Sequence, residues 1–313
     1  MKIVFFGTSE FAIPALKALI GSKHEVACVV TQPDSKKGRT LKLSPSPVKV
    51  FAAIRSIPVY QPVDASSPES AEYLKGLNAD LFVVISFGQI LKDNILSIPN
   101  IFAVNVHGSL LPKYRGAAPT NRVIIDGESS TGVTVIKINA RMDEGDIIIK
   151  EVVEIGRDDT NITLSEKLSE LGASALMKAI DLIEAKGNSL SLTRQDPSLV
   201  TYARKLKKSD GLINWNEPAE VIHNKVRGLL PWPGAYTGYD GKMLKILKTE
   251  LVSDIFPDRA PGEVAAASAI DGIIVHTGSG AISIRYLQPE GKKDMDSGSF
   301  LLGHRIKKGY QFK

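Results

Sequence analysis

The sequence predicts an α/β protein: a Rossmann-like domain on a mostly parallel sheet, followed by a small C-terminal β-barrel of OB-like type. Three observations carry that expectation. Short apolar, β-branched runs alternate with helical patterns through the first half, as βαβ units do. A long helical pattern and a polar stretch then break the alternation. Beyond them come short strands separated by glycine turns, the texture of a small antiparallel barrel. The expected boundaries are a first domain over 1–187, a linker over 188–206 and a second domain over 207–313.

In chain order, the first domain reads as the strand Lys2–Phe6, a helix over Ala12–Ile20, the strand Glu25–Thr31, a helix over Val48–Arg55, and strands Leu81–Phe87 and Ile101–His107. Near-continuous apolar runs mark strands covered on both faces. Strand-like runs at Thr131–Ile136 and Asp146–Val153 follow, then apolar residues at helical spacing over Leu164–Ala185. In the second domain, Tyr239-Asp240-Gly241 and Gly278-Ser279-Gly280 each sit between strand-like runs and signal hairpins. Ligands of a parallel sheet bind beyond the carboxyl ends of its strands, where strand order reverses. The loops after Phe6, Thr31, Ile85 and His107 are therefore where chemistry is expected.

The 313 residues carry 39 Lys+Arg against 34 Asp+Glu, and the excess is not spread evenly. Residues 1–200 hold 22 cations and 22 acids, whereas residues 201–313 hold 17 and 12. Within the neutral half, the stretch Asp34–Lys49 concentrates five cations, Lys36, Lys37, Arg39, Lys42 and Lys49, in a Gly/Pro-containing loop. A basic loop at a ligand-binding edge beside a cationic second domain suits a polyanionic partner. The single cysteine, Cys28, lies in an apolar run and excludes an intrachain disulfide or a cysteine-rich zinc site. Met1–Phe6 is too short for a signal-peptide core and no apolar run of about 18 residues follows. A reducing cytoplasm and no membrane are expected.

Gly7-Thr8-Ser9-Glu10-Phe11 keeps only the first glycine of the dinucleotide fingerprint, and Thr31-Gln32-Pro33 stands where its ribose-binding acid would be. There is no nucleophile elbow, no P-loop and no paired-histidine zinc motif. What remains is Asn105-Val106-His107-Gly108-Ser109-Leu110-Leu111-Pro112. Asn105 and His107 stand two apart on a strand and share a face, so a carboxamide and an imidazole can both donate to one developing oxyanion. Asp143, Glu144 and Asp146 follow in a glycine-containing loop. One of them could orient His107 or accept a proton, and periodicity does not choose among the three.

The segment from Asn105 to Pro119, with Thr131-Gly132-Val133-Thr134 and Met142–Asp146, resembles the folate-dependent formyltransferases. The resemblance runs nearly full length, through Phe6–Ala12, Ser44–Lys49, Lys205–Trp215, Leu230–Thr237 and Gln288–His304. These C-terminal motifs point to the branch of the family that acts on tRNA. The chain departs from the family pattern at Asp126-Gly127-Glu128 and in carrying Glu144 beside Asp143. The resemblance implies an active site of Asn105, His107 and Asp143 without metal, and 10-formyltetrahydrofolate as cosubstrate. It places folate against Phe87, Gly88, Ile90 and Leu91 and against Ser109, Leu110, Leu111 and Pro112. It implies a methionyl initiator tRNA as acceptor, met by Lys36, Lys37, Arg39 and Lys42, and a monomer. Phe11 either walls the methionine side chain or packs in the core. Two other readings stand beside this one: a sister enzyme formylating an amino-sugar nucleotide, and a nucleic-acid-binding protein with a degenerate Rossmann-like half.

Overall fold

The computed structural model describes residues 1–37, 42–253, 259–304 and 306–313. The chain divides into two compact units. The first comprises Met1–Pro119, Ser130–Glu154 and Ser165–Ala203, and the second Thr120–Ser129, Ile155–Leu164 and Arg204–Lys313.

The first unit opens with β1 (Lys2–Gly7), α1 (Ile13–Ile20) and β2 (Glu25–Val30). β3 (Ser35–Lys37) and β4 (Lys42–Ser44) form a small hairpin, followed by α2 (Pro47–Ala53), β5 (Val59–Tyr60), α3 (Pro68–Gly76) and β6 (Leu81–Ile85). Then come α4 (Asp93–Leu96), β7 (Phe102–His107), α5 (Pro119–Ile125, mostly in the second unit), β8 (Ser130–Lys137), β9 (Ile147–Glu154) and the long α6 (Asn161–Lys186). The sheet order is β5-β2-β1-β6-β7-β8-β9. The first five strands are parallel, as expected, while β8 and β9 add an antiparallel tail.

Sequence chemistry explains these elements. All of Leu81–Ile85 is buried, as a central parallel strand requires. Ser46 and Ser67 cap α2 and α3 by accepting from Lys49 N–H and Ser70 N–H, with a proline in each first turn. α6 buries Leu168, Ala175, Leu176, Ala179, Ile180 and Ile183 on one stripe. A Cβ at its Gly172 would approach Val106 Cγ1 to 3.1 Å, so that glycine lets the helix lie close on β7. The polar stretch expected as a linker is bound to the first unit as far as Ala203. Thr193 bridges to Ile147, and Thr201 and Ala203 exchange backbone hydrogen bonds with Arg115.

The second unit contains α7 (Ala219–Gly228), β10 (Ala235–Tyr239), β11 (Lys242–Val252), β12 (Val264–Ser268), β13 (Gly272–His276), β14 (Ala281–Pro289), β15 (Met295–Asp296) and α8 (Ser297–Gly303). The strands pair antiparallel in the order β10-β11-β14-β13-β12, with β15 on β14. Both hairpin signals form: Asp240 and Gly241 turn β10 into β11 with φ of 47° and 72°, and Gly280 lies in the β13–β14 turn. The last residues join the two sheet edges. Val264 N–H donates to Tyr310 O and Phe312 N–H to Gly262 O on one side, and Gly238 N–H donates to Lys313 O on the other. The result is barrel-like, around Trp215, Ile222, Ile246, Ile273, Ile284, Leu287, Phe300 and Phe312.

Candidate active site

β1 has β2 on one side and β6 on the other, so chain order reverses there and the loops after these strands form a crevice. Side chains stitch that edge together. Thr8 Oγ1–H donates to Phe87 O at 2.8 Å, Ser9 Oγ–H to Ser86 Oγ at 2.8 Å, and Gln32 Nε2–H to Phe87 O at 3.3 Å. Gln89 is held as well, its Oε1 accepting from Ala65 N–H at 2.8 Å.

The loop after β6 alternates. Ser86, Gly88 and Ile90 are exposed, while Phe87 and Leu91 are buried in the core. Phe87 stands edge-on to Phe6, centroids 5.4 Å apart. Ser86 and Gly88 take left-handed φ of 49° and 90°, which turns backbone outward. Of the four residues expected to meet folate here, Ile90 has a side chain 63% exposed and Gly88 exposes backbone, while the side chains of Phe87 and Leu91 pack in the core.

β7 carries the polar side chains. Asn105 is half-buried and pairs with Val84 on one side and Ile136 on the other. Among the described residues its carboxamide has no hydrogen-bond partner. His107, 6% exposed, donates from Nε2 to Tyr114 O at 2.9 Å, and the carbonyl acceptor keeps the proton on that nitrogen. Nδ1 lies 3.5 Å from Asp143 Oδ1, an ion-pair distance rather than a short hydrogen bond. Asp143 Oδ2 accepts from Gly116 N–H at 2.8 Å, and Asp143 itself has φ 55°, a conformation that surrounding structure must hold.

The three carboxylates left open by periodicity now separate. Asp143 faces His107, Glu144 pairs with Arg115 Nη1 at 2.9 Å, and Asp146 is exposed. The Ser109–Pro112 turn is mostly buried and internally bonded. Ser109 Oγ–H donates to Lys113 O at 2.7 Å, Thr134 Oγ1–H to Ser109 O at 2.7 Å, and Leu111 N–H to Thr134 Oγ1 at 3.1 Å. Leu111 packs with Ile136 and Ile147, Pro112 is buried, and Leu110 is half-buried. Phe11 is half-buried beyond β1, and Lys36 is exposed on the β3–β4 hairpin. Arg39 and the side chains of Lys37 and Lys42 lie outside the described residues. Hydrogen bonds from Gln61 and Lys49 hold the Asp34 carboxyl below the usual carboxylate range, and Lys49 thereby spends its charge within the loop.

Sequence reasoning missed Thr134, Arg115 and Gln195. Arg115 and Thr134 sit inside motifs already singled out; Gln195 had no signal beyond its place in a polar stretch.

Comparison with known proteins identifies the scaffold. The Formyl transferase family model matches residues 1–180, and the model of the formyl transferase C-terminal domain matches 205–305. The chain is 47% identical over 309 residues to a protein of Citrifermentans bemidjiense named methionyl-tRNA formyltransferase, covering 99% of this chain and 95% of that one. It is 44% identical over 310 residues to one of the same name from Caldanaerobacter subterraneus, covering 99% of each. The solved structure of WlaRD, a sugar 3N-formyl transferase in the presence of dTDP and 5-N-formyl-THF, shares the fold with a TM-score of 0.67 at 21% identity, over 94% of this chain and 99% of that one. With both halves matched and near-half identity sustained along the whole length, the chain belongs to the formyl transferase family.

Proposed function

We propose that this protein transfers the formyl group of 10-formyltetrahydrofolate to the α-amine of methionyl initiator tRNA. The observation that carries the reading is an unpartnered Asn105 carboxamide on the same strand face as a His107–Asp143 pair, in a chain 47% identical to a methionyl-tRNA formyltransferase.

The residues divide the work. When an amine adds to a formyl carbon, the oxygen gains negative charge and the nitrogen must lose a proton. Asn105 supplies N–H donors to the oxygen; one such donor contributes about 3–4 kcal/mol. His107, whose Nε2–H is bonded to Tyr114 O and so is not free to be the second oxyanion donor expected from the sequence, presents Nδ1 as the proton acceptor. The imidazolium so formed is offset by Asp143 and donates from Nδ1. It then returns the proton to the departing nitrogen, so that the hydrogen lost by the amine ends on tetrahydrofolate. The exposed Ile90 and the outward backbone of Ser86 and Gly88 suit a flat heterocycle with polar edges. Lys36 and its basic neighbours suit the acceptor-stem phosphates, and Phe11 the methionine side chain.

The test is a transfer assay with charged initiator tRNA and the folate donor, run in parallel with an amino-sugar nucleotide. Formylated methionyl-tRNA from the wild type and its near-abolition in His107→Ala are expected. Transfer to the sugar alone would reassign the acceptor, and no transfer to either would return the protein to a binding role.

A further inference from the structure

The segment after α6 does more than connect. Gln195 is 6% exposed, and all its polar capacity is committed to the site. Its Nε2 donates to Asp143 O and to Gly145 O, each at 2.8 Å, while its Oε1 accepts from Arg115 Nε at 3.1 Å and Nη2 at 2.8 Å. The same guanidinium holds Glu144 through Nη1 at 2.9 Å. One amide thus fixes the backbone on both sides of Glu144, with Arg115 holding the side chain between them.

Farther along, residues 201–203 lie beside the Tyr114–Gly116 tripeptide. Tyr114 N–H donates to Thr201 Oγ1 at 2.8 Å, Arg115 N–H to Thr201 O at 2.9 Å, and Ala203 N–H to Arg115 O at 2.7 Å. That tripeptide grips both reacting side chains, through Tyr114 O on His107 Nε2 and Gly116 N–H on Asp143 Oδ2. The fit is close: Gly116 has φ 116°, and a Cβ there would lie 2.8 Å from Ala203 O.

We propose that residues 195–203 form a positioning strap for the active site, with Gln195 the positioning residue that holds Asp143 against His107. Asp143 needs such a device because its left-handed backbone is unfavourable for a non-glycine residue and its carboxylate stands 3.5 Å from the ring, where small displacements matter. Gln195 touches no substrate; it acts through Asp143.

This inference rests on the formyl-transfer reading, and its test separates the two. Wild-type protein, Gln195→Ala, Asp143→Ala and the double variant are compared in single-turnover and steady-state formylation of methionyl-tRNA. Gln195→Ala is expected to lower kcat about 10–100-fold with both KM values within about threefold. In the Asp143→Ala background it should cost less than about twofold, because nothing remains to be positioned. Gln195→Glu keeps the acceptor toward Arg115 but sets a carboxylate against two carbonyls, and it should lose kcat as Gln195→Ala does; it serves as the readout should Gln195→Ala fail to fold. An undiminished loss in the Asp143→Ala background, or an unchanged kcat in a folded Gln195 variant, would overturn the strap. An inactive wild type would instead overturn the formyl-transfer reading.

Discussion

The loop after β6 and the loops that gather around the end of β7 serve one crevice, yet the second buries a set of polar side chains that the first lacks. In the first, Phe87 and Leu91 go into the apolar core and the backbone of Ser86 and Gly88 turns outward. Around β7, Leu111, Pro112 and Tyr114 are buried too, but polar His107, Ser109, Arg115, Thr134 and Gln195 are buried with them, and backbone groups hold them in place. A buried polar group must find its partner within the protein, so the β7 side is rigid and directional. The β6 side instead exposes the backbone of Ser86 and Gly88 and the side chain of Ile90. A group-transfer enzyme needs both: a wall to hold a planar donor, and fixed donors and acceptors where charge moves.

If that division is right, substitutions on the two sides should fail differently. After the near-abolition expected of His107→Ala, the largest effect is expected at Asn105, whose carboxamide has no partner to lose among the described residues. Asn105→Ala should lower kcat by about 10²–10³, as loss of one oxyanion donor does, with little change in thermal midpoint. A loss below tenfold in steady-state assays would make Asn105 a packing residue and break the contrast.

Gly145 probes rigidity on the same side. A Cβ there would fall 1.7 Å from Lys137 O, a backbone atom, so the β8–β9 connection must shift. Gly145→Ala should cost about 1–3 kcal/mol, seen as a fall in thermal midpoint, and lower kcat because Gly145 O is one of the two carbonyls held by Gln195. Full stability with full activity would show the connection to be slack.

How much of this was legible in sequence follows the same line. Asn105 and His107 could be paired because the two-residue period of a strand fixes which side chains share a face. The Asp240-Gly241 hairpin could be placed because left-handed backbone restricts residue choice. Periodicity could not separate Asp143 from Glu144 and Asp146, since loop geometry has no period, and only the family resemblance picked it out; Gln195 reaches its partners across 50, 52 and 80 positions. Phe87 and Leu91 lie in an apolar run where core and ligand wall look alike. The antiparallel pairing of β8 and β9 and the short helices α3 and α5 were missed for want of strong periodicity, and α7 was missed although its apolar residues recur at helical spacing.

On the β6 side, adjacent apolar residues should part company. Phe87→Ala, in the core, should destabilise the protein by about 3–5 kcal/mol. Ile90→Ala should leave the thermal midpoint within about 1 °C, since a substitution at an exposed position changes stability little, and should raise KM for the folate donor about three- to tenfold, each buried CH₂ being worth about 0.8 kcal/mol. An unchanged KM would remove Ile90 from the wall.

The smallest effect concerns neither side of the crevice but the hairpin beyond β2. Lys36 is exposed there, and Lys49, at the far end of the same basic stretch, is bound to Asp34 at 2.8 Å. Lys49 therefore has little charge to offer a phosphate, while Lys36 forms no such pair among the described residues. A cation that meets a phosphate releases a counterion on binding, so it shows in the salt dependence of affinity more clearly than in affinity at one salt concentration. Lys36→Ala should reduce the log–log salt slope of tRNA binding by about 0.7–0.9 and leave KM for the folate donor unchanged. Lys49→Ala should leave that slope as it was. Equal slopes for Lys36→Ala and wild type would place the tRNA path elsewhere and leave the net charge of residues 201–313 as its remaining support.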